Sequence, residues 1–262
     1  MAETTQIRYS DDGKTLERFS PESEETVFIV PETVEHIAEQ AFIYCKNLKK
    51  VILPQKLKVI SYCVFEECEN LEEVVLPPGL EDIKFGAFCD CKALKSITLP
   101  QTMTVVEDHT FSGCGFEEIV IPNGVTTICH GAFVSCKNLR KVILPSSVDV
   151  IEEFAFGDCI NLKEIKLQNG TFIGPDAFRN CDKITIDREK MIWTGYDPIN
   201  DCYCRMCEEK LEKLKVFNMP QADGSFKKVN CVHWYCKSCQ TRVFKYFQFE
   251  RLLKIRKENI YG

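Results

Sequence analysis

The chain has 262 residues, room for one large domain or two modest ones. Hydrophobic residues make up 45% and charged residues 27%, which excludes global disorder. No apolar run approaches the roughly 20 residues that a membrane-spanning helix needs. The net charge of −6 is uneven: residues 1–187 hold 18 Lys+Arg against 30 Asp+Glu (−12), and residues 188–262 hold 15 against 9 (+6). Two regions of opposite sign suggest two units with different partners, and the overall acidity argues against a whole-chain nucleic-acid binder. The opening MAETTQIRYSDDGK offers no apolar signal core. With sixteen cysteines and no such signal, the expectation is an intracellular protein, cytoplasmic or nuclear, whose thiols are buried or metal-bound rather than disulfide-linked.

An internal repeat organises the first two thirds. The segments AFIYC, VFEEC, AFCDC, TFSGC, AFVSC, AFGDC and AFRNC begin at residues 41, 64, 87, 110, 132, 155 and 177, at intervals of 22 or 23. Short β-branched runs share that period: FIVP at 28, VILP at 51, VVLP at 74, ITLP at 97, IVIP at 119, VILP at 142, IKLQ at 165 and ITID at 184. Proline closes most of them, because it has no N–H to continue a ladder. Strand alternation puts Leu48, Val51 and Leu53 inside, with Leu71, Val74 and Leu76, and Leu139, Val142 and Leu144, in equivalent places. One repeat cannot bury these residues, but stacked repeats can. Phe42, Phe65, Phe88, Phe111, Phe133, Phe156 and Phe178 would fill the opposite side of the same core.

The pattern LxxVxLPxxxxxIxxxAFxxC, repeated over residues 27–187, resembles the BspA-like leucine-rich repeat. The resemblance implies a curved solenoid with a parallel β-sheet on one face, used for binding rather than catalysis. It also implies that residues 1–26 form a capping hairpin.

The column Cys45, Cys68, Cys91, Cys114, Cys136, Cys159 and Cys181 reads as a ladder of small buried residues. A redox or metal ladder is the alternative, but one thiol per lap brings no chelating companion. Cys63, Cys89 and Cys129 fall outside the column and receive no role; His36, His109 and His130 share no column and read as incidental. Between the inward positions lie Ile52, Val75, Thr98, Val120, Ile143 and Lys166, a mainly apolar stripe along the open sheet face. Lys50, Glu73, Ser96, Glu118, Lys141 and Glu164 flank it. These two columns are the candidate surface for a protein partner. Neither holds a nucleophile–base pair, so no active site is expected there.

The repeat stops after Ile186, and 188–201 reads as a linker. Residues 202–262 then carry Cys202-Tyr-Cys204-Arg-Met-Cys207 and Cys231-Val-His233-Trp-Tyr-Cys236-Lys-Ser-Cys239. Two C-x2-C knuckles in a short, small-cored segment point to Zn²⁺ on Cys204, Cys207, Cys236 and Cys239. Four thiolates leave no open coordination position, so this zinc would be structural.

The ligand order also resembles the first six ligands of a RING finger, with Cys231 and His233 matching its second pair. Nothing follows Cys239 to supply the fourth. A second ion on Cys202, Cys231 and His233 is the weaker reading. The RING resemblance implies recruitment of a ubiquitin-conjugating enzyme. The final segment, TRVFKYFQFERLLKIRKENIYG, is basic and amphipathic and predicts a helix. Its cations and aromatics leave a nucleic-acid or anionic-membrane contact as an alternative to simple packing.

The expectation is therefore a repeat solenoid of the leucine-rich-repeat type followed by a small α+β zinc-binding module. Its function would be that of a non-enzymatic adaptor that recognises a protein partner. A RING-like ubiquitin ligase or substrate receptor, and a nucleic-acid-associated factor using the basic end, are the alternatives.

Overall fold

The computed structural model describes residues 7–174 and 176–186, together with the backbone of short strands between 192 and 254. The chain divides into two compact units, residues 1–191 and 192–262.

The first unit is a parallel β-solenoid in which equivalent residues of successive repeats lie in register. One ladder pairs Val27–Ile29, Lys50–Ile52 and Glu73–Val75, and resumes with Glu118–Val120, Lys141–Ile143 and Glu164–Ile165. A second pairs Val59–Ile60 with Asp82–Ile83, and then Val105–Val106, Thr127–Ile128, Val150–Ile151 and Phe172–Ile173. At the start, Ile7–Tyr9 and Thr15–Phe19 form an antiparallel hairpin, and Thr15–Phe19 pairs in parallel with His36–Ile37. The hairpin thus covers one edge of His36–Ile37, whereas Val27–Ile29 is the edge strand of its own sheet.

The Ala-Phe corners form a third ladder. The N–H of Phe42 donates to the Val64 carbonyl at 2.9 Å, and the same lap-to-lap bond recurs from Phe65, Phe88, Phe111, Phe133 and Phe156. Two residues of every corner take the left-handed conformation. Gln40, Cys63, Gly86, His109, Gly131, Phe154 and Asp176 have φ of 51–62°, and Tyr44, Glu67, Asp90, Gly113, Ser135, Asp158 and Asn180 have φ of 56–67°. Non-glycine residues rarely adopt this region. Here the stacked hydrogen bonds on both sides of the corner hold them there.

The corners enclose the core. Phe42, Phe65, Phe88, Phe111, Phe133 and Phe156 are fully buried. With Phe19 before them and Phe178 after, they stack at 5.0–5.6 Å between ring centroids, with interplanar angles of 2–29°. Of the expected inward set, Leu48, Val51, Leu53, Leu71, Val74, Leu139 and Val142 are buried. Leu76 and Leu144 are only half-buried, although Leu53, at the equivalent position, is buried.

Both strand ladders lapse in the middle of the solenoid. Residues 95–99 form no strand, and Asp82–Ile83 and Val105–Val106 belong to separate sheets. The cause is local. Elsewhere six residues separate the column cysteine from the strand centre, as in Cys45 to Val51, but Cys114 reaches Ile119 in five. Phe116 fills the place of the missing leucine and is buried, with its ring edge-on to Phe111 at 5.6 Å. The shortened path presses Gly115 so close to the Lys92 carbonyl oxygen that a Cβ would lie 2.2 Å from it. The corner ladder crosses the gap through Gly86 N–H to Asp108, Phe88 N–H to Thr110 and Asp90 N–H to Ser112, at 2.7–3.1 Å.

In the second unit, His233–Cys236 lies between Glu212–Leu214 and Thr241–Phe244, antiparallel to both, and Thr241–Phe244 pairs with Leu253–Lys254. Phe217–Pro220 and Phe226–Val229 form a separate hairpin. Within the segment expected to be helical, Thr241–Phe244 and Leu253–Lys254 are extended and laddered, and the rest of that segment lies outside the described residues.

The column cysteines make the solenoid sensitive to alkali. The thiols of Cys91 and Cys114 are pushed well up by burial. Those of Cys68 and Cys159 are raised first by the adjoining thiols of Cys45 and Cys136. In each case the folded state binds the proton more tightly than the unfolded chain does. The stabilisation is complete below the unfolded thiol pKa of about 8.5 and declines as pH rises above it. The melting temperature is therefore expected to fall progressively above about pH 8.5. Cys91→Ala should make that fall shallower; an identical slope in wild type and variant would contradict this assignment.

Candidate interaction face and metal-ligating residues

The open face of the first ladder presents one outward column per strand position. Ile29, Ile52 and Val75 are in register, as are Val120 and Ile143. Ile29 is 64% exposed, Val75 38%, Val120 54% and Ile143 39%, whereas Ile52 is half-buried. Thr98 and Lys166 are exposed. Thr98 belongs to the strandless segment 95–99, so the stripe is two laddered stretches and not one continuous strip. Val27 and Ile29, both exposed, extend the face one lap earlier than the stripe read from the sequence. The signal for them was present: FIVP stands 23 residues before VILP, in the same phase.

The flanking charges face one another across laps. Lys50 Nζ lies 2.8 Å from Glu73 Oε2, and Lys141 Nζ lies 3.3 Å from Glu118 Oε2. Lys49 and Glu72, and Arg140 and Glu117, repeat the arrangement at 4.0 and 3.9 Å. Exposed pairs of this kind contribute about 0.2–1 kcal/mol each. Their main consequence is that the apolar column is bordered by a locally balanced set of charges.

The cysteine column has a structural role. Cys68, Cys91, Cys114, Cys136, Cys159 and Cys181 each donate through Sγ to the phenylalanine carbonyl one lap earlier, at 3.0–3.1 Å, and Cys45 does so to Phe19 at 3.8 Å. Outside the column, the Cys63 and Cys89 thiols are each pushed up to about 12, first by burial and then by nearby carboxylates. They are therefore poor nucleophiles at neutral pH.

The three histidines differ in setting. His36 stands exposed on its strand, but the His109 and His130 rings meet edge to face at 5.2 Å. Phe85 packs against His109 at 5.9 Å and Phe154 against His130 at 6.0 Å. The two histidines are 21 residues apart, one short of the 22-residue lap here, so the contact runs diagonally between neighbouring laps. Burial, and then the neighbouring His130, hold the His109 imidazole below its ordinary value. Among the described residues, one trio of metal-type donors comes together: Asp108, Cys129 and Glu152, with ligand atoms within 4.8 Å of one another.

The zinc-ligand residues Cys204, Cys207, Cys236 and Cys239, and the secondary set Cys202, Cys231 and His233, lie outside the residues whose side chains are described. No helix among the described residues is long and apolar enough to cross a membrane.

Comparison with known proteins bears on the solenoid. The BspA type leucine rich repeat region matches residues 17–128 and 58–185, with six copies. The crystal structure of the leucine-rich repeat protein of T. pallidum, TpLRR, is similar at 30% identity and a TM-score of 0.62, covering 69% of this chain and 87% of that one. A leucine-rich repeat protein from Bacteroides ovatus shares the fold at 24% identity and a TM-score of 0.57, over 76% of this chain and 62% of that one. The pneumococcal vaccine antigen PcpA does so at 16% identity and a TM-score of 0.51, over 74% and 46%. The curated proteins give no match. In period, register and corner geometry, as in these comparisons, the chain belongs to the BspA-type leucine-rich-repeat family.

Proposed function

We propose that the protein is a non-enzymatic interaction adaptor that binds a protein partner along the open sheet face. The observation that carries this reading is the outward column Ile29, Ile52, Val75, Val120 and Ile143, whose exposed members are held on a backbone fixed by three ladders. A preformed apolar face loses little conformational entropy on binding. Thr98 and Lys166, and the paired Lys50, Glu73, Glu118 and Lys141, would tune specificity at its margin. Val75→Glu with Val120→Glu is expected to leave the melting temperature nearly unchanged, because both side chains point outward. It should weaken binding of the principal partner at least 10-fold, the scale of an interface hot spot. Equal recovery of that partner by wild type and double variant would refute the face as the binding surface.

For the C-terminal unit we propose one structural Zn²⁺ on Cys204, Cys207, Cys236 and Cys239. The spacing of the two C-x2-C knuckles supports this. Cys236→Ser with Cys239→Ser should lose one equivalent of zinc relative to wild type and unfold this unit alone; an unchanged zinc content would refute the site.

The order Cys231-x-His233-x2-Cys236-x2-Cys239 favours a second reading, a RING-like ligase in which the solenoid holds the substrate. Autoubiquitination lost in the same double variant would favour it, and silence across a panel of conjugating enzymes would remove it. A nucleic-acid role for the +6 C-terminal region is the third reading, and would require salt-dependent retention on RNA or DNA. An intracellular setting fits the column thiols, since each is used as a hydrogen-bond donor and must stay reduced.

A further inference from the structure

We propose that the solenoid itself carries a second Zn²⁺ site, formed by Asp108, Cys129 and Glu152 on three successive laps, and separate from the C-terminal knuckles. The three ligand atoms lie within 4.8 Å of one another. A tetrahedral zinc with ligand distances of about 2.0–2.3 Å spaces its donors by roughly 3.3–3.8 Å, so the side chains need to draw in by about 1 Å. Cys129 is 4% exposed, and both carboxylates are half-buried. The main-chain N–H of His130 donates to Glu152 Oε2 at 3.0 Å, which fixes that carboxylate beside Cys129.

The repeat supplies its own control. The positions equivalent to Cys129 in the first three laps hold Ala38, Ser61 and Lys84, none of which is a soft ligand. In the laps of Asp108, Cys129 and Glu152, where the sequence departs from these residues, a thiol and two carboxylates converge. One sulfur with two oxygens selects borderline Zn²⁺ over hard Ca²⁺ or Mg²⁺. Three protein ligands leave one coordination position for water or for a side chain of a partner. Zinc binding would displace the thiol proton to solvent, leaving a thiolate with two carboxylates around the dication.

The test counts zinc per chain in full-length protein equilibrated with micromolar Zn²⁺ and then freed of loose ion. Wild type is expected to hold one equivalent more than Glu152→Gln, Asp108→Asn or Cys129→Ser. Added Zn²⁺ should raise the solenoid's melting temperature in wild type and not in Glu152→Gln. Cys129→Ser alters a buried position, so the two half-buried carboxamide variants, checked for unchanged circular dichroism, keep the result interpretable. Equal zinc content in wild type and Glu152→Gln overturns the proposal. So does binding that survives Cys129→Ser, which would reveal an adventitious ion on carboxylates only. The equivalent lost here should add to the one lost in Cys236→Ser with Cys239→Ser, so either site can fail without the other.

Discussion

Each lap of the solenoid must bring its Ala-Phe corner back directly over the previous one, and the phenylalanine carbonyl at that corner shows why. Within a lap, the Phe42 oxygen accepts from the Cys45 N–H at 3.2 Å; from the next lap it accepts the Cys68 thiol at 3.0 Å. The same two donors reach Phe65 and its equivalents. A buried carbonyl left short of partners would be costly, and the thiol meets this need with a side chain small enough to sit beside a stack of aromatic rings. The individual S–H···O contact is weak. Its repetition along the solenoid, with the amide ladder and the phenylalanine stack at the same corner, locks the period.

This explains why the corner persists where the strands do not. Residues 95–99 form no strand and the second ladder breaks between Ile83 and Val105, yet Phe88 and Phe111 remain stacked at 5.6 Å and the corner hydrogen bonds continue. The corner cannot vary without unstacking the core. The open face is thus free to change its side chains from lap to lap, and a surface built on such a frame can diversify while its backbone stays fixed. The lapse also splits the apolar column into an N-terminal part around Ile29, Ile52 and Val75 and a later part around Val120 and Ile143.

Much of this was legible in the sequence because it repeats. The period, the inward leucines, the phenylalanine stack and the cysteine column are identities recurring at fixed intervals. What was not legible depends on conformation or on contacts between laps. The left-handed positions are held by residues as unlike as Gln40, Cys63, Gly86, His109 and Phe154, so no residue type announces them. Neither the His109–His130 contact nor the trio of Asp108, Cys129 and Glu152 shares a single column, because each is diagonal across laps. The start of the apolar face at Ile29 was readable, since FIVP stands in phase with VILP, although the outward stripe was drawn only from Ile52. The basic end showed helical spacing, but its backbone at Thr241–Phe244 pairs with His233–Cys236, a tertiary preference that local periodicity cannot report.

The most direct test of the corner as the element that holds the fold is native-state hydrogen exchange of the amides of Phe42, Phe65, Phe88, Phe111, Phe133 and Phe156. Their shared ladder predicts that all six exchange only through global unfolding, with one common free energy that includes Phe88 and Phe111 on either side of the strandless segment. Exchange of these amides through small local openings, while strand amides such as those of Val51 and Val142 stay protected, would contradict it.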